Sequence, residues 1–294
     1  MPTTLRRIFQ VIDGAKKLVG DGFDVTSPMP GSRIRQLSPF LLLDHTGPMR
    51  VEPTDTPLGA HPHPHRGFET VTVVYQGYLA HRDTAGHSGY LGPGDVQWMT
   101  AGAGLLHEEM HEREFSRRGG TLELIQLWVN VPAKDKMAPP NYQNLTAEAI
   151  PSLPVSGSDD EGHIRVIAGT YGGITGPAHT FSPLILLDAH LPEGSSTTLT
   201  LPADYNVGLY VVTGDVLVNG TRPAQTKQLV VLGWDAPDVQ LTCSQDSIVL
   251  VMAGQPIVEP LATYGPFVMN TNEELMQAIA DSESGQMGQF SDEE

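Results

Sequence analysis

Apolar and polar positions in this chain mostly alternate one for one, the pattern of half-buried strands and not of helices. Thr70-Val71-Thr72-Val73-Val74-Tyr75 is β-branched and aromatic and stops at Gly77, which reads as a strand closed by a turn. Leu122-Glu123-Leu124-Ile125-Gln126-Leu127-Trp128-Val129 predicts another strand. Leu91-Gly92-Pro93-Gly94-Asp95 predicts a tight turn feeding a strand over Val96–Met99. Leu209–Val218 repeats the theme and runs into Asn219-Gly220, a two-residue hairpin signal. Helical signal is sparse. Thr271–Ala280 offers an N-cap candidate, early acidic residues and an apolar stripe, so a short C-terminal helix is expected there, with Leu275 and Met276 turned to the core.

The two halves resemble each other. Val71–Ala80 matches Leu209–Val218, with Gly77 opposite Gly214, and an internal repeat of this size predicts two copies of one barrel. Pro132, Pro139, Pro140, Pro151 and Pro154 interrupt any regular pattern between them. The expected division is a first barrel over residues 1–132, a Pro-rich connection over 133–158, and a second barrel over 159–294 that carries the helix and an acidic tail.

Composition narrows the partners. The chain has 294 residues, 17 Lys and Arg against 34 Asp and Glu, and a formal net charge of -17. That disfavours direct nucleic-acid binding, which rests on cationic side chains. Part of the acidity lies in the tail, Ser291-Asp292-Glu293-Glu294, read as a solvated terminus. A single cysteine, Cys243, excludes an internal disulfide and suits a reducing compartment. Its alternating neighbours Val239 and Leu241 make it a buried strand residue. No run reaches the length of a membrane span, and the apolar stretch Ile8–Ile12 is too short for a signal peptide. A cytoplasmic protein is the expectation, with a monomer slightly favoured.

The candidate chemistry lies in the histidines. His61-Pro62-His63-Pro64-His65 is answered downstream by His107-Glu108-Glu109. On an extended chain residues two apart share a face, so His63 sits with His65, and His107 with Glu109. Three imidazoles and a carboxylate converging in a barrel can hold a divalent transition metal with positions left open. Glu108 has the opposite parity and is expected to point away. Counting from Gly214 by the offsets that relate Gly77 to His63, His65 and His107 reaches Thr200, Pro202 and Ser244. None replaces imidazole, so the second barrel is expected to lack the site. His163, His179 and His190 show no ligand-like spacing. His81, His87 and His111 are candidates for the cavity mouth, with ordinary strand or loop positions the plainer reading. Trp98 and Met99 are expected in the core, Gln97 near the pocket, and Arg66 in a structural salt bridge.

The segments His63–Thr70, Gly94–Gly102 and His107–Met110 closely resemble the pirin family. So do Phe40–His45, Leu127–Asn130 and Tyr264–Asn270, so that the resemblance runs nearly end to end. It implies an all-β fold of two cupin barrels, double-stranded β-helices of jelly-roll type, with one metal in the N-terminal barrel. Carried over residue by residue, the family's metal ligands fall on His63, His65, His107 and Glu109. His61 becomes a rim residue, and Glu69 becomes a hydrogen-bonding support for a ligand histidine. The metal implied is Fe(II), although Ni, Mn, Cu, Co and Zn accept the same donors. The activity implied is dioxygenase cleavage of a flavonol such as quercetin by O2, with Glu109 as catalytic base. The alternative is a metal-dependent binding or regulatory protein acting through a protein partner. A cupin isomerase or sugar binder ranks third.

Overall fold

The computed structural model describes residues 4–155 and 162–290. The acidic tail Ser291–Glu294 lies outside the described residues. The chain is built from strands that fall into two compact units, each assembled from separated stretches of sequence. One comprises the chain up to Ala15 with Ser27–Leu41 and Glu148–Pro256, and the other Lys16–Thr26, Leu42–Ala147 and Ile257–Glu294. No helix among the described residues is long and apolar enough to cross a membrane.

The second of these units carries the histidine motifs. Its larger, seven-stranded sheet runs in the order Asn141–Leu145, Val96–Thr100, Phe68–Gln76, Gly120–Asn130, Phe40–Val51, Phe23–Met29, Ala15–Val19. Facing strands form a four-stranded sheet, Gly59–His65, Leu105–His111, Leu79–Asp83, Ser88–Leu91. The expected strands are present. Thr70–Tyr75 lies within Phe68–Gln76, and Leu122–Val129 lies within Gly120–Asn130. Val71, Val73, Ile125 and Leu127 are fully buried, because both faces of these central strands are covered. Trp98 and Met99 are core residues as expected.

The other unit repeats the plan. Its seven-stranded sheet is ordered Ile8–Asp13, Gln228–Leu232, Asn206–Thr213, Ser247–Gly254, Leu184–Leu191, His163–Ala168, Ser152–Pro154, and a four-stranded sheet accompanies it. Leu187, Leu199, Val207, Leu209, Val230 and Val251 pack its apolar interior. Asn219 and Gly220 both take positive φ, 54° and 64°, the backbone of the expected hairpin turn. Cys243 is buried on the strand Asp238–Cys243.

Three details differ from the expected division. Ile8–Asp13 pairs antiparallel with Gln228–Leu232 and so belongs with the second barrel, not the first. Residues 133–158 are not a bare connection: Asn141–Leu145 pairs with Val96–Thr100, and Ser152–Pro154 pairs with His163–Ala168. The C-terminal stretch from Ile257 groups with the first barrel's strands. It contains the hairpin Ala262–Tyr264/Phe267–Met269 and the helix Asn272–Glu283. Thr271 caps that helix in a capping box with Glu274. Leu275 is buried against Phe267 and Met269 as expected, but Met276 is 66% exposed. It follows Leu275 directly and therefore points about 100° round the helix.

Candidate metal centre

The strands Gly59–His65 and Leu105–His111 are antiparallel neighbours, with His107 paired to His63 and Leu105 to His65. Alternation sends His63, His65 and His107 to one side. One ligand nitrogen from each lies within 4.8 Å of the others. The rings meet at centroid separations of 4.7 Å (His63–His65), 4.4 Å (His63–His107) and 4.8 Å (His65–His107). Glu109 lies outside that three-residue cluster but lines the same cavity. A bulge between His107 and Glu109 shifts the local register. The carboxylate accepts hydrogen bonds from Thr72 Oγ1 at 3.0 Å and Gln126 Nε2 at 3.1 Å.

The electrostatics of the cluster favour neutral imidazoles. Burial lowers the pKa of His63, and it lowers those of His65 and His107 strongly, with the neighbouring rings adding to the effect. A neutral imidazole is the form that binds metal. His63 Nδ1 is bonded to the His61 carbonyl at 2.8 Å, and His65 Nδ1 to the Pro266 carbonyl at 3.3 Å. If each Nδ1 carries the proton it donates, each Nε2 is left as a lone-pair donor. His107 is fully buried, and neither ring nitrogen has a hydrogen-bond partner among the described residues. An unmet buried polar group costs about 1–3 kcal/mol, and a metal ion would satisfy it. The donor set therefore fits a divalent transition metal.

His63, His65 and Glu109 border a cavity of about 290 Å³. Val19, Phe23, Val25, Leu79 and Leu124 supply apolar wall, and Trp128 stands beside His65 with ring centroids 5.4 Å apart. The polar groups are few: Glu109, Gln126, Thr46 and the pair Lys17–Asp44, whose Nζ and Oδ2 are 3.0 Å apart. Burial raises Glu109 to about 7 against the pull of its bonds from Thr72 and Gln126.

The other candidates fall as follows. His61 is exposed and pairs with Asp21 at 2.9 Å, a rim position. Glu108 turns the other way, to Arg82 at 2.6 Å. Arg66 forms the expected ion pair, with Asp281 at 2.7 Å. Glu69 departs from expectation: its carboxylate accepts a bond from Thr100 Oγ1 at 2.9 Å and supports that strand, not a ligand histidine. His63 and His65 are oriented instead by backbone carbonyls, for which sequence carries no signal. His81, His87 and His111 do not line this cavity. His81 is buried and stacks on Tyr142 at 4.1 Å, His87 bonds Asp83 at 2.9 Å, and His111 bonds the Gly22 carbonyl at 3.1 Å. Gln97 is also off the cavity, buried beside Thr72. Sequence reasoning missed Lys17, Asp44 and Pro266, which come to the cavity from distant segments.

A chain of two jelly-roll barrels with a histidine cluster in one of them defines a bicupin. The pirin family model matches residues 22–129, and the model of the pirin C-terminal cupin domain matches residues 186–288. The chain belongs to the pirin family. A Pseudomonas aeruginosa protein provisionally named a quercetin 2,3-dioxygenase is 47% identical over 91% of this chain and 93% of its own length. Human pirin is 38% identical over 92% of this chain and 89% of its own. The crystal structure of a quercetin 2,3-dioxygenase from Acinetobacter baumannii superposes with a TM-score of 0.93 at 42% identity, covering 98% of this chain and all of that one.

Proposed function

We propose that the protein is a metal-dependent dioxygenase that cleaves a flavonol of the quercetin type, with His63, His65, His107 and Glu109 holding one Fe(II). The observation that carries this reading is the three-histidine cluster, of which His63 and His65 line an apolar cavity and His107 is fully buried with both ring nitrogens unmet. The names of close relatives point to the same reaction. When bound, Fe(II) would supply a redox-active Lewis acid.

The chain's own residues do the rest. The apolar wall and the ring of Trp128 receive a flat aromatic body and exclude water from it. Glu109, held in place by Thr72 and Gln126, is the carboxylate positioned to take the proton of the substrate's 3-hydroxyl. Lys17 and Asp44 offer one donor and one acceptor side by side, which suits a neutral phenolic hydroxyl better than a free anion or cation. In the overall reaction the central ring opens, both atoms of O2 enter the ester product, and the carbon bearing the 3-hydroxyl leaves as carbon monoxide.

The test is quercetin loss and O2 uptake by anaerobically Fe(II)-loaded protein beside its His107→Ala variant. Metal-dependent turnover that the variant lacks is expected. Absence of turnover in fully loaded wild type would sink the enzyme reading and favour a metal-dependent binding protein.

A further inference from the structure

Residues 65–67 are gripped, one after another, by a segment about 200 positions away in the chain. His65 Nδ1 lies 3.3 Å from the Pro266 carbonyl. Arg66 bridges Phe267 in parallel, and the Val268 amide donates to the Arg66 carbonyl at 3.0 Å. Gly67 has φ of +84°, and a Cβ there would stand 2.1 Å from the Val268 carbonyl oxygen. Two buried cations lock this contact. Arg66 pairs with Asp281 of the C-terminal helix at 2.7 Å and donates from Nε to the Ala103 carbonyl at 2.7 Å. Lys136, 1% exposed, donates to the carbonyls of Gly67 at 2.7 Å and Val268 at 3.0 Å and to Asn130 Oδ1 at 2.8 Å. Burial lowers its pKa to about 8.

A buried lysine facing three uncharged oxygens is an expensive device. Here it ties Gly67, two residues past the candidate ligand His65, to Val268, two residues past the Pro266 carbonyl that orients that ligand. We propose that Pro266–Met269 is a positioning element for the metal centre, and that Asp281 through Arg66, together with Lys136, acts as its lock. The Pro266 carbonyl selects the His65 tautomer with its proton on Nδ1, turning Nε2 toward the metal. A backbone carbonyl cannot be adjusted by its own side chain, so its position depends wholly on what holds the segment. The inference rests on the metal reading above and adds that the chain's C-terminal segment sets the geometry and tightness of that site.

The experiment uses the full chain and two probe ions. Zn(II) affinity is measured by chelator competition, and the ligand-field absorption bands of the Co(II)-loaded protein report ligand geometry. Wild type is compared with Asp281→Asn, Asp281→Glu and the control Asp188→Asn. The control breaks a buried ion pair with Arg165 that does not touch the histidine cluster. Loss of support to a ligand histidine weakens metal binding by about 10- to 100-fold. Asp281→Asn is expected to raise the Zn(II) dissociation constant at least tenfold and to shift the Co(II) bands. Asp281→Glu recovers both in part, and Asp188→Asn moves neither. Unchanged affinity and bands in Asp281→Asn would overturn the inference, as would an equal change in Asp188→Asn, which would mark a general loss of stability. Wild type that binds neither ion would overturn the metal reading itself, and the inference with it.

Discussion

Replacing His107 with alanine separates metal binding from folding, and its size can be worked out from the structure. Metal-free wild type buries an imidazole with both nitrogens unmet, at a cost of about 1–3 kcal/mol. His107→Ala removes that cost but leaves a void, and large-to-small changes in cores cost about 2–5 kcal/mol. The two oppose each other, so the metal-free variant should lie within about 4 kcal/mol of metal-free wild type. Metal divides them. At free metal 100-fold above Kd a site present only in the folded state gains about 2.7 kcal/mol. For a chain of 294 residues that raises Tm by roughly 4 °C. Thermal scans with and without Zn(II) should show this rise in wild type and essentially none in His107→Ala. An equal rise in the variant would refute the assignment of His107 as a ligand.

Three further outcomes are expected. Asp188 is fully buried between Arg165 and His190, whose hydrogen bonds and charges hold its pKa below the usual carboxylate value despite burial. Because the folded-state value is the lower one, this stabilisation is complete above the unfolded value near 4 and fades as pH falls through the folded value. Asp188→Asn should therefore cost about 3 kcal/mol at neutral pH and flatten the acid limb of a urea-stability profile below about pH 4, and an unaltered acid limb would contradict it. Gly67→Ala forces a side chain at positive φ against a carbonyl oxygen, so it should lower Tm and metal retention together, and a wild-type Tm would disprove the close approach. Asp44→Asn and Lys17→Met should each raise KM for quercetin by about 2- to 10-fold, the value of one net hydrogen bond. KM for 3-hydroxyflavone, which lacks the ring hydroxyls, should not move, and equal effects on both substrates would rule out a role in recognising hydroxyls.

How far sequence reaches here depends on whether a signal is local. Alternation in Thr70–Tyr75 and Leu122–Val129 reports burial directly, and both segments are core strands. The spacing of His63, His65 and His107 needs only strand parity and one pairing, and the three rings meet. Ile8–Asp13 gives the same strand signal whichever sheet it joins, and its partner Gln228–Leu232 lies about 220 residues away. The return of the chain after Ile257 to the unit that carries the histidine cluster was illegible for the same reason. Glu69 shows a different limit. Its position in the motif suggested a bond to histidine, yet the pairing of Glu69 with Thr100 across neighbouring strands supplies a nearer donor. The carbonyls of His61 and Pro266, which orient two of the rings, have no residue type to betray them.

The measurement that goes straight to the central claim is anomalous diffraction at the iron edge from crystals grown with Fe(II) under anaerobic conditions. One peak is predicted, bonded to Nε2 of His63 and His65 and to a ring nitrogen of His107, with the Glu109 carboxylate swung to it as the fourth protein ligand. No peak among these three rings, or a peak elsewhere in the chain in their place, would contradict the account.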